Sequence, residues 1–410
     1  MNNRRIPLLL FVLLTLAACG PAPQATVAAP PAPTTPPPAP AEEPSVVPRT
    51  VEAEPVTGYV RAARGPKNII LMIGDGMGIT QISAGMYSND NRLNLERFSV
   101  IGLHKSYSGD NLITDSAAGA TAFASGVKTY NGAIGVDLDT VAAPTILEMA
   151  EAAGMPTGLV ATSSIVHATP ASFYAHAQYR QNYEEIAADL LNTDIDIFIG
   201  GGAKFFERRE GDTRNLSAEL RDRGVDVQSF VNTEVKDLVV DRAKTFGYYT
   251  ADGEPLPYSQ GRDYLLDAAD LAVDFLDARD TTDRGFFLMI EGSQIDWGGH
   301  SNESDYIISE MIEFDRAIGA MLNFAQQDGE TLVIVTADHE TGGYAINNGS
   351  KMGEIQGAFT STYHTADLIP VFAYGPGAER FSGIYENTAI FDKMVQLYGL
   401  RKAAPDGSKP

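Results

Sequence analysis

Asn68-Ile-Ile-Leu-Met-Ile-Gly74 runs without a charged break into Asp75-Gly76-Met77-Gly78. A short apolar run of this kind suits a central β-strand buried on both faces. Asp75 then stands at the strand's carboxyl end, between glycines that let the backbone turn sharply. Five further runs repeat the pattern. Thr157–Ala161 leads into Thr162-Ser163-Ser164, Ile195–Ile199 into Gly200-Gly201-Gly202, and Phe286–Ile290 into Glu291. Thr331–Thr336 leads to Asp338-His339, and Ile369–Tyr374 into Gly375. Helices are expected between the runs, at 144–153, 182–192, 262–278 and 304–326. The alternation predicts an α/β fold around a large, mostly parallel sheet. In such sheets ligands bind outside the carboxyl ends of the strands, and four of these runs end in or lead shortly to residues able to do chemistry. Residues 203–260 are polar and weakly patterned and read as a peripheral excursion. Residues 340–363, rich in Gly, Ser and Asn, read as a loop over the site.

The composition narrows the function. A net charge of −23 argues against nucleic acid, whose phosphates need a basic face. The first nineteen residues have the form of a signal segment: Arg4 and Arg5, an apolar stretch over 6–18, then Leu16-Ala17-Ala18-Cys19, which resembles a bacterial lipobox. Cys19 is the only cysteine of the chain, so lipidation there would leave no disulfide. Residues 20–56 are dominated by Pro and Ala and read as an extended tether. The body is expected over 57–410. These features predict an exported cell-envelope lipoprotein held to a membrane through Cys19. Gly20 follows that cysteine, and the lack of an aspartate there favours an outer membrane facing the periplasm, or the cell surface.

Only six histidines occur in the chain, and four accompany carboxylates or strand ends. Glu291-Gly-Ser-Gln-Ile-Asp296-Trp297-Gly-Gly-His300 carries two carboxylates and an imidazole; Asp338-His339 adds one of each; His364 and His167 complete the set. Mixtures of this kind suit divalent ions such as zinc or magnesium. Each residue alone also has a plainer role: Asp75 or Asp115 as a helix cap, Arg180 as a solvated surface cation, His176 as a structural histidine, His104 as a surface one. Ser116 opens the alanine-rich stretch Thr114-Asp115-Ser116-Ala117-Ala118-Gly119-Ala120-Thr121-Ala122. A helix start favours an anionic oxygen or a bound phosphate. No histidine adjoins Ser116 in sequence, so a metal would have to activate its hydroxyl.

Taken in order, the motifs GDGMG (74–78), TDSAAGATA (114–122), HATP (167–170) with the later Arg180, EGSQID (291–296) with His300, TADHE (336–340) and the late His364 make the chain similar to the bacterial alkaline phosphatases, from about Lys67 to Leu400. The resemblance implies a three-layer αβα sandwich with a small crown-type insertion, since His339 and His364 lie close in sequence. It implies hydrolysis of phosphate monoesters to alcohol and inorganic phosphate at alkaline pH, through a phosphoserine on Ser116. It carries Asp75, Asp338 and His339 onto one zinc and Asp296, His300 and His364 onto a second. Asp75, Thr169 and Glu291 fall on a magnesium site with His167 beside it. Arg180 becomes the phosphate clamp and Asp115 the residue that orients it. His167 and Trp297 depart from the enterobacterial pattern, which has aspartate and lysine there, and leave the third ion open between magnesium, zinc and cobalt. Monomer and homodimer both stay open. A sulfatase is disfavoured because Ser116 lacks the following x-P-x-R. Diesterase activity stays open as a promiscuous one, and a non-catalytic metal-binding lipoprotein would have no use for Ser116 or Arg180.

Overall fold

The computed structural model describes residues 51–61 and 65–402. The signal segment and most of the tether, Cys19 included, lie outside the described residues. Ten strands form one sheet: β1 (Asn68–Gly74), β2 (Val100–Lys105), β3 (Thr157–Ser164), β4 (Ile197–Gly201), β5 (Asp226–Ser229), β6 (Phe246–Tyr249), β7 (Phe287–Gly292), β8 (Thr331–Thr336), β9 (Leu368–Tyr374) and β10 (Gly383–Glu386). Their spatial order is β10-β2-β9-β8-β1-β7-β3-β4-β6-β5. Every pairing is parallel except the two made by β9, which runs antiparallel to both β2 and β8.

The sequence of β1 explains the layers. In a strand, successive side chains point to opposite faces. Ile69, Leu71 and Ile73 enter one core, shared with helices α2 (Ser116–Ser125), α3 (Ile146–Ala152) and α7 (Thr388–Tyr398). Ile70 and Met72 enter the other, shared with α1 (Ile79–Ser88), α4 (Leu265–Arg279) and α6 (Ser304–Asp328). All seven residues of β1 are buried, as expected of a strand with helices on both faces. The result is a three-layer αβα sandwich with a mostly parallel central sheet.

The expected helices form at 146–152, 183–189 with a short 3-10 turn to 192, 265–279 and 304–328. Two expectations need correction. Residues 203–260 do not stand aside from the sheet, because β5 and β6 complete its edge. Phe246–Tyr249 is wholly buried, but four residues are too few for a sequence pattern to declare a strand. His104, expected at the surface, is fully buried on β2. Its Nε2 lies 2.8 Å from the Ala337 carbonyl and its ring packs edge-on against Phe123. The segment after His339 holds a small insertion: Ala345–Ile346 pairs with Gly357–Ala358, and Glu340–Thr341 pairs with His364–Thr365. Among the described residues no helix is long and apolar enough to cross a membrane.

Candidate metal and phosphate site

The residues singled out by chemistry converge at the carboxyl ends of β1, β7 and β8. Asp75 follows β1, Glu291 ends β7, and Asp338-His339 follow β8. A one-turn helix (Ala168–Ala171) after β3 carries Thr169, with His167 at its start. Helix α5 (Gln294–His300) presents Asp296 and His300, one turn apart on one face. Antiparallel β9 brings its own beginning to this end, so His364 arrives from the opposite chain direction. Gly76 makes the first turn possible. Its φ is +71°, and a Cβ there would lie 2.7 Å from the Cα of Asp296.

Three groups of ligand atoms result. The first joins Asp75, Asp338 and His339; His339 Nε2 lies 3.6 Å from Asp75 Oδ1 and 3.2 Å from Asp338 Oδ2. The second gathers Asp296, His300 and His364, with Nε2 of His300 3.4 Å from Asp296, Nε2 of His364 3.6 Å from it, and the two imidazole nitrogens 3.1 Å apart. The His339 and His364 rings stack at 3.5 Å and join these two groups. The third joins Asp75, His167 and Glu291, with Thr169 buried on the helix that follows His167.

Ser116 opens α2 beside the first group, its Oγ 3.3 Å from His339 Nε2. Asp115 is the N-cap of α2: one oxygen accepts from the Ala118 amide at 3.0 Å. Its other oxygen accepts from the Gly132 amide at 3.0 Å and from Arg180 Nη1 at 3.1 Å. Asp115 is therefore both the cap that the sequence allowed and the partner of the guanidinium. Arg180 is not a surface cation; only a fifth of its side chain is exposed. Asp75 is not a cap, because α1 begins after Gly78 without one. His176 is structural, lying between the Gly135 carbonyl and Glu148.

The electrostatics point to missing positive charge. Burial, then the charge of Asp338, raises the pKa of Asp75 well above the usual carboxylate range. Burial pushes Glu291 to about 7, and burial with the charge of Asp296 pushes Asp338 to about 7. Both Asp75 oxygens, Asp338 Oδ2, Glu291 Oε1, Thr169 Oγ1 and His167 Nδ1 are buried with no hydrogen-bond partner. Buried carboxylates without partners are strongly unfavourable. Divalent ions would supply both the charge and the ligand bonds, and the mixed oxygen and imidazole donors fit them.

A supporting shell escaped the sequence reading. Thr341 Oγ1 reaches both Asp296 and His339 Nδ1, bridging two groups. Ser163 and Ser293 hold Glu291 Oε2 at 3.2 and 2.5 Å. Carbonyls of Thr362 and Thr114 lie 2.7 and 2.8 Å from the Nδ1 atoms of His300 and His364. These bonds leave each Nε2 facing inward, as ligating histidines require. The available signal was weak: Ser293 and Thr341 each lie two residues from a motif carboxylate or imidazole.

Residues 66–358 match the family described as alkaline phosphatase. Alkaline phosphatase 3 of Bacillus subtilis is 34% identical, over 79% of this chain and 87% of that protein. The Escherichia coli alkaline phosphatase is 31% identical, over 82% and 86%. The structure of alkaline phosphatase from the Antarctic bacterium TAB5 superposes with a TM-score of 0.76 at 45% identity, covering 82% of this chain and 99% of that one. A variant of that enzyme with a histidine replaced by aspartate has magnesium bound in a site called M3. The chain belongs to the alkaline phosphatase family and is a metal-binding hydrolase of phosphate monoesters.

Proposed function

We propose that Ser116 is the nucleophile of a two-step phosphoryl transfer. Its Oγ attacks phosphorus and the P–O bond to the alcohol breaks; the alcohol leaves and takes up a proton. Water then attacks the phosphoserine from the opposite side, freeing Ser116 and inorganic phosphate. Zinc at Asp75, Asp338 and His339 and at Asp296, His300 and His364, with magnesium at Asp75, Thr169 and Glu291, would supply the positive charge that favours the serine alkoxide and the leaving alkoxide. Arg180 grips two nonbridging oxygens through its planar fork, and Asp115 fixes the fork's direction. The Ser116 and Ala117 amides, which the helix start leaves without internal partners, would bind the same anion, while Asp115 takes the Ala118 amide.

One observation carries this reading most: Ser116 Oγ sits at a buried helix start, 3.3 Å from an imidazole of the first ligand group, with Asp75 unpartnered beside it. His167 stands in the third group through Nδ1, while its Nε2 lies 3.4 Å from Arg180 Nη2. Burial and the Arg180 charge hold its pKa down to about 4, so it is a neutral donor. We place this enzyme in the cell envelope, lipidated on Cys19 and held off the membrane by the Pro/Ala-rich stretch. The support is the lipobox-like sequence and the chain's single cysteine.

The test is hydrolysis of p-nitrophenyl phosphate against bis-p-nitrophenyl phosphate at alkaline pH, before chelation, after it, and after zinc and magnesium are restored. Monoester preference that disappears and returns with metal is expected. Diester preference would move the chain to a phosphodiesterase role. Radiolabelled palmitate incorporated by the wild type and not by Cys19→Ala is the expected result for the anchor.

A further inference from the structure

Tyr363 stands in the site without a part in the chemistry above. It precedes His364, and its ring lies parallel to that imidazole at 4.3 Å and 11°. His364 stacks in turn on His339 at 3.5 Å and 14°. Two rings cannot share one face of an imidazole at these separations, so His364 is sandwiched and Tyr363 is the outer layer. Tyr363 is 46% exposed, so part of the ring is open to solvent beside a buried cluster. The backbone that carries the ring is fixed on both sides. Its amide donates to Ser361 Oγ at 2.9 Å and its carbonyl accepts from Gly342 at 3.0 Å. The preceding carbonyl, of Thr362, meets His300 Nδ1, and the His300 ring lies 6.1 Å away. Tyr363 is thus flanked by two of the three residues of the second ligand group.

That position matters because of in-line geometry. Resting on the function proposed above, the leaving oxygen must depart opposite Ser116, toward Asp296, His300 and His364. Whatever the oxygen is attached to then emerges beside Tyr363. A rigid aromatic face loses little conformational freedom on binding and stacks with any flat ring.

We propose that Tyr363 is a specificity-determining platform for the alcohol part of the substrate, favouring monoesters whose leaving alcohol carries a flat aromatic ring. The test compares benzyl phosphate with cyclohexylmethyl phosphate, two primary alkyl esters of similar bulk, one with a flat ring and one with a puckered ring. kcat/KM for both, and zinc content, are measured on metal-loaded wild type, Tyr363→Phe and Tyr363→Ala. The wild type is expected to prefer the benzyl ester. The benzyl-to-cyclohexylmethyl ratio should fall about three- to tenfold in Tyr363→Ala, the size of a lost ring pair, and stay within about twofold in Tyr363→Phe. An unchanged ratio in Tyr363→Ala, with both esters slowed together and zinc lost, would show that the ring only props His364 and would overturn the proposal. A wild type with no benzyl preference would overturn it too. Hydrolysis of neither ester, nor of p-nitrophenyl phosphate, would instead remove the phosphatase reading and the platform with it.

Discussion

Replacing Arg262 with methionine should destabilise the fold by about 3–5 kcal/mol, the usual size for breaking a buried ion pair from one side. Arg262 binds Glu310 through Nη2 and Glu313 through Nη1, the latter at 2.7 Å. The three side chains are 3%, 2% and 4% exposed. Its Nε also donates to the Leu256 carbonyl at 2.9 Å. Glu310 and Glu313 lie three residues apart on α6 and face the same way. Without the guanidinium they are two buried carboxylates with no cation. For a body of this size, 1 kcal/mol moves Tm by about 1–2 °C, so a drop of about 3–10 °C is expected at pH 8.

The pH dependence is the sharper test. Burial already pushes Glu313 from 4.5 to about 7, with Arg262 pulling the other way. A carboxyl raised in the folded state contributes stability below its unfolded pKa, and that contribution is lost as pH rises through the folded value. Removing Arg262 raises the folded value further. The variant's deficit should therefore be largest above pH 8 and shrink toward pH 5, where both carboxyls hold protons. Exchanging all three residues, with Leu for both glutamates, should recover most of the loss, since apolar replacements of buried ion clusters are often neutral or better. Thermal melts of wild type and both variants from pH 5 to 9 decide the matter. A deficit independent of pH, or a Tm within about 1 °C of wild type, would refute the reasoning.

Four other outcomes are expected. Ser116→Ala should lose turnover by several orders of magnitude while melting within about 2 °C of wild type; retained turnover would remove the nucleophile assignment. Gly119→Ala puts a Cβ 2.9 Å from that of Asp338, so zinc content and kcat should fall together even though alanine favours a helix by about 1 kcal/mol; unchanged zinc would contradict this. His167→Asp should bind magnesium about tenfold more tightly by calorimetry on zinc-loaded enzyme, because a hard anionic oxygen replaces a neutral imidazole. His104 is held at about 4 by burial; a base depressed in the fold stabilises above its unfolded pKa near 6.5 and loses up to about 3 kcal/mol as pH falls toward 4. His104→Leu should be less stable than wild type at pH 8 and lose less on acidification, read by urea melts at both pH values.

The central strands were legible in the sequence because burial on both faces leaves an uninterrupted apolar run, as in β1, β7 and β8. The edge was not. Asp226–Ser229 is half-exposed and polar, and its strand state comes from pairing with β6 rather than from its own residues. The ligand-type residues were legible because carboxylates and imidazoles at strand ends share one end of a parallel sheet. His104 misled because a lone histidine beside Lys105 looks solvated; its burial comes from distant segments, Phe123 of α2 against its ring and the Ala337 carbonyl at its Nε2. Ser163 reaches Glu291 and Thr341 reaches Asp296 only through contacts between segments far apart in the chain, which no local pattern marks.

Strand β9 has a further meaning for how this molecule tolerates change. Because it alone runs backwards, the connection from His339 to His364 begins and ends at the same rim. Both of its ends are fastened there by the Glu340–Thr341 and His364–Thr365 pairing. Doubling a loop between fixed ends costs only about 0.6 kcal/mol. The stretch between Thr341 and Tyr363 is accordingly a socket: new sequence can be accommodated there, growing outward from the rim, while the residues at its two feet keep their positions. Diversity in this enzyme's surroundings can accumulate in one place without renegotiating its chemistry.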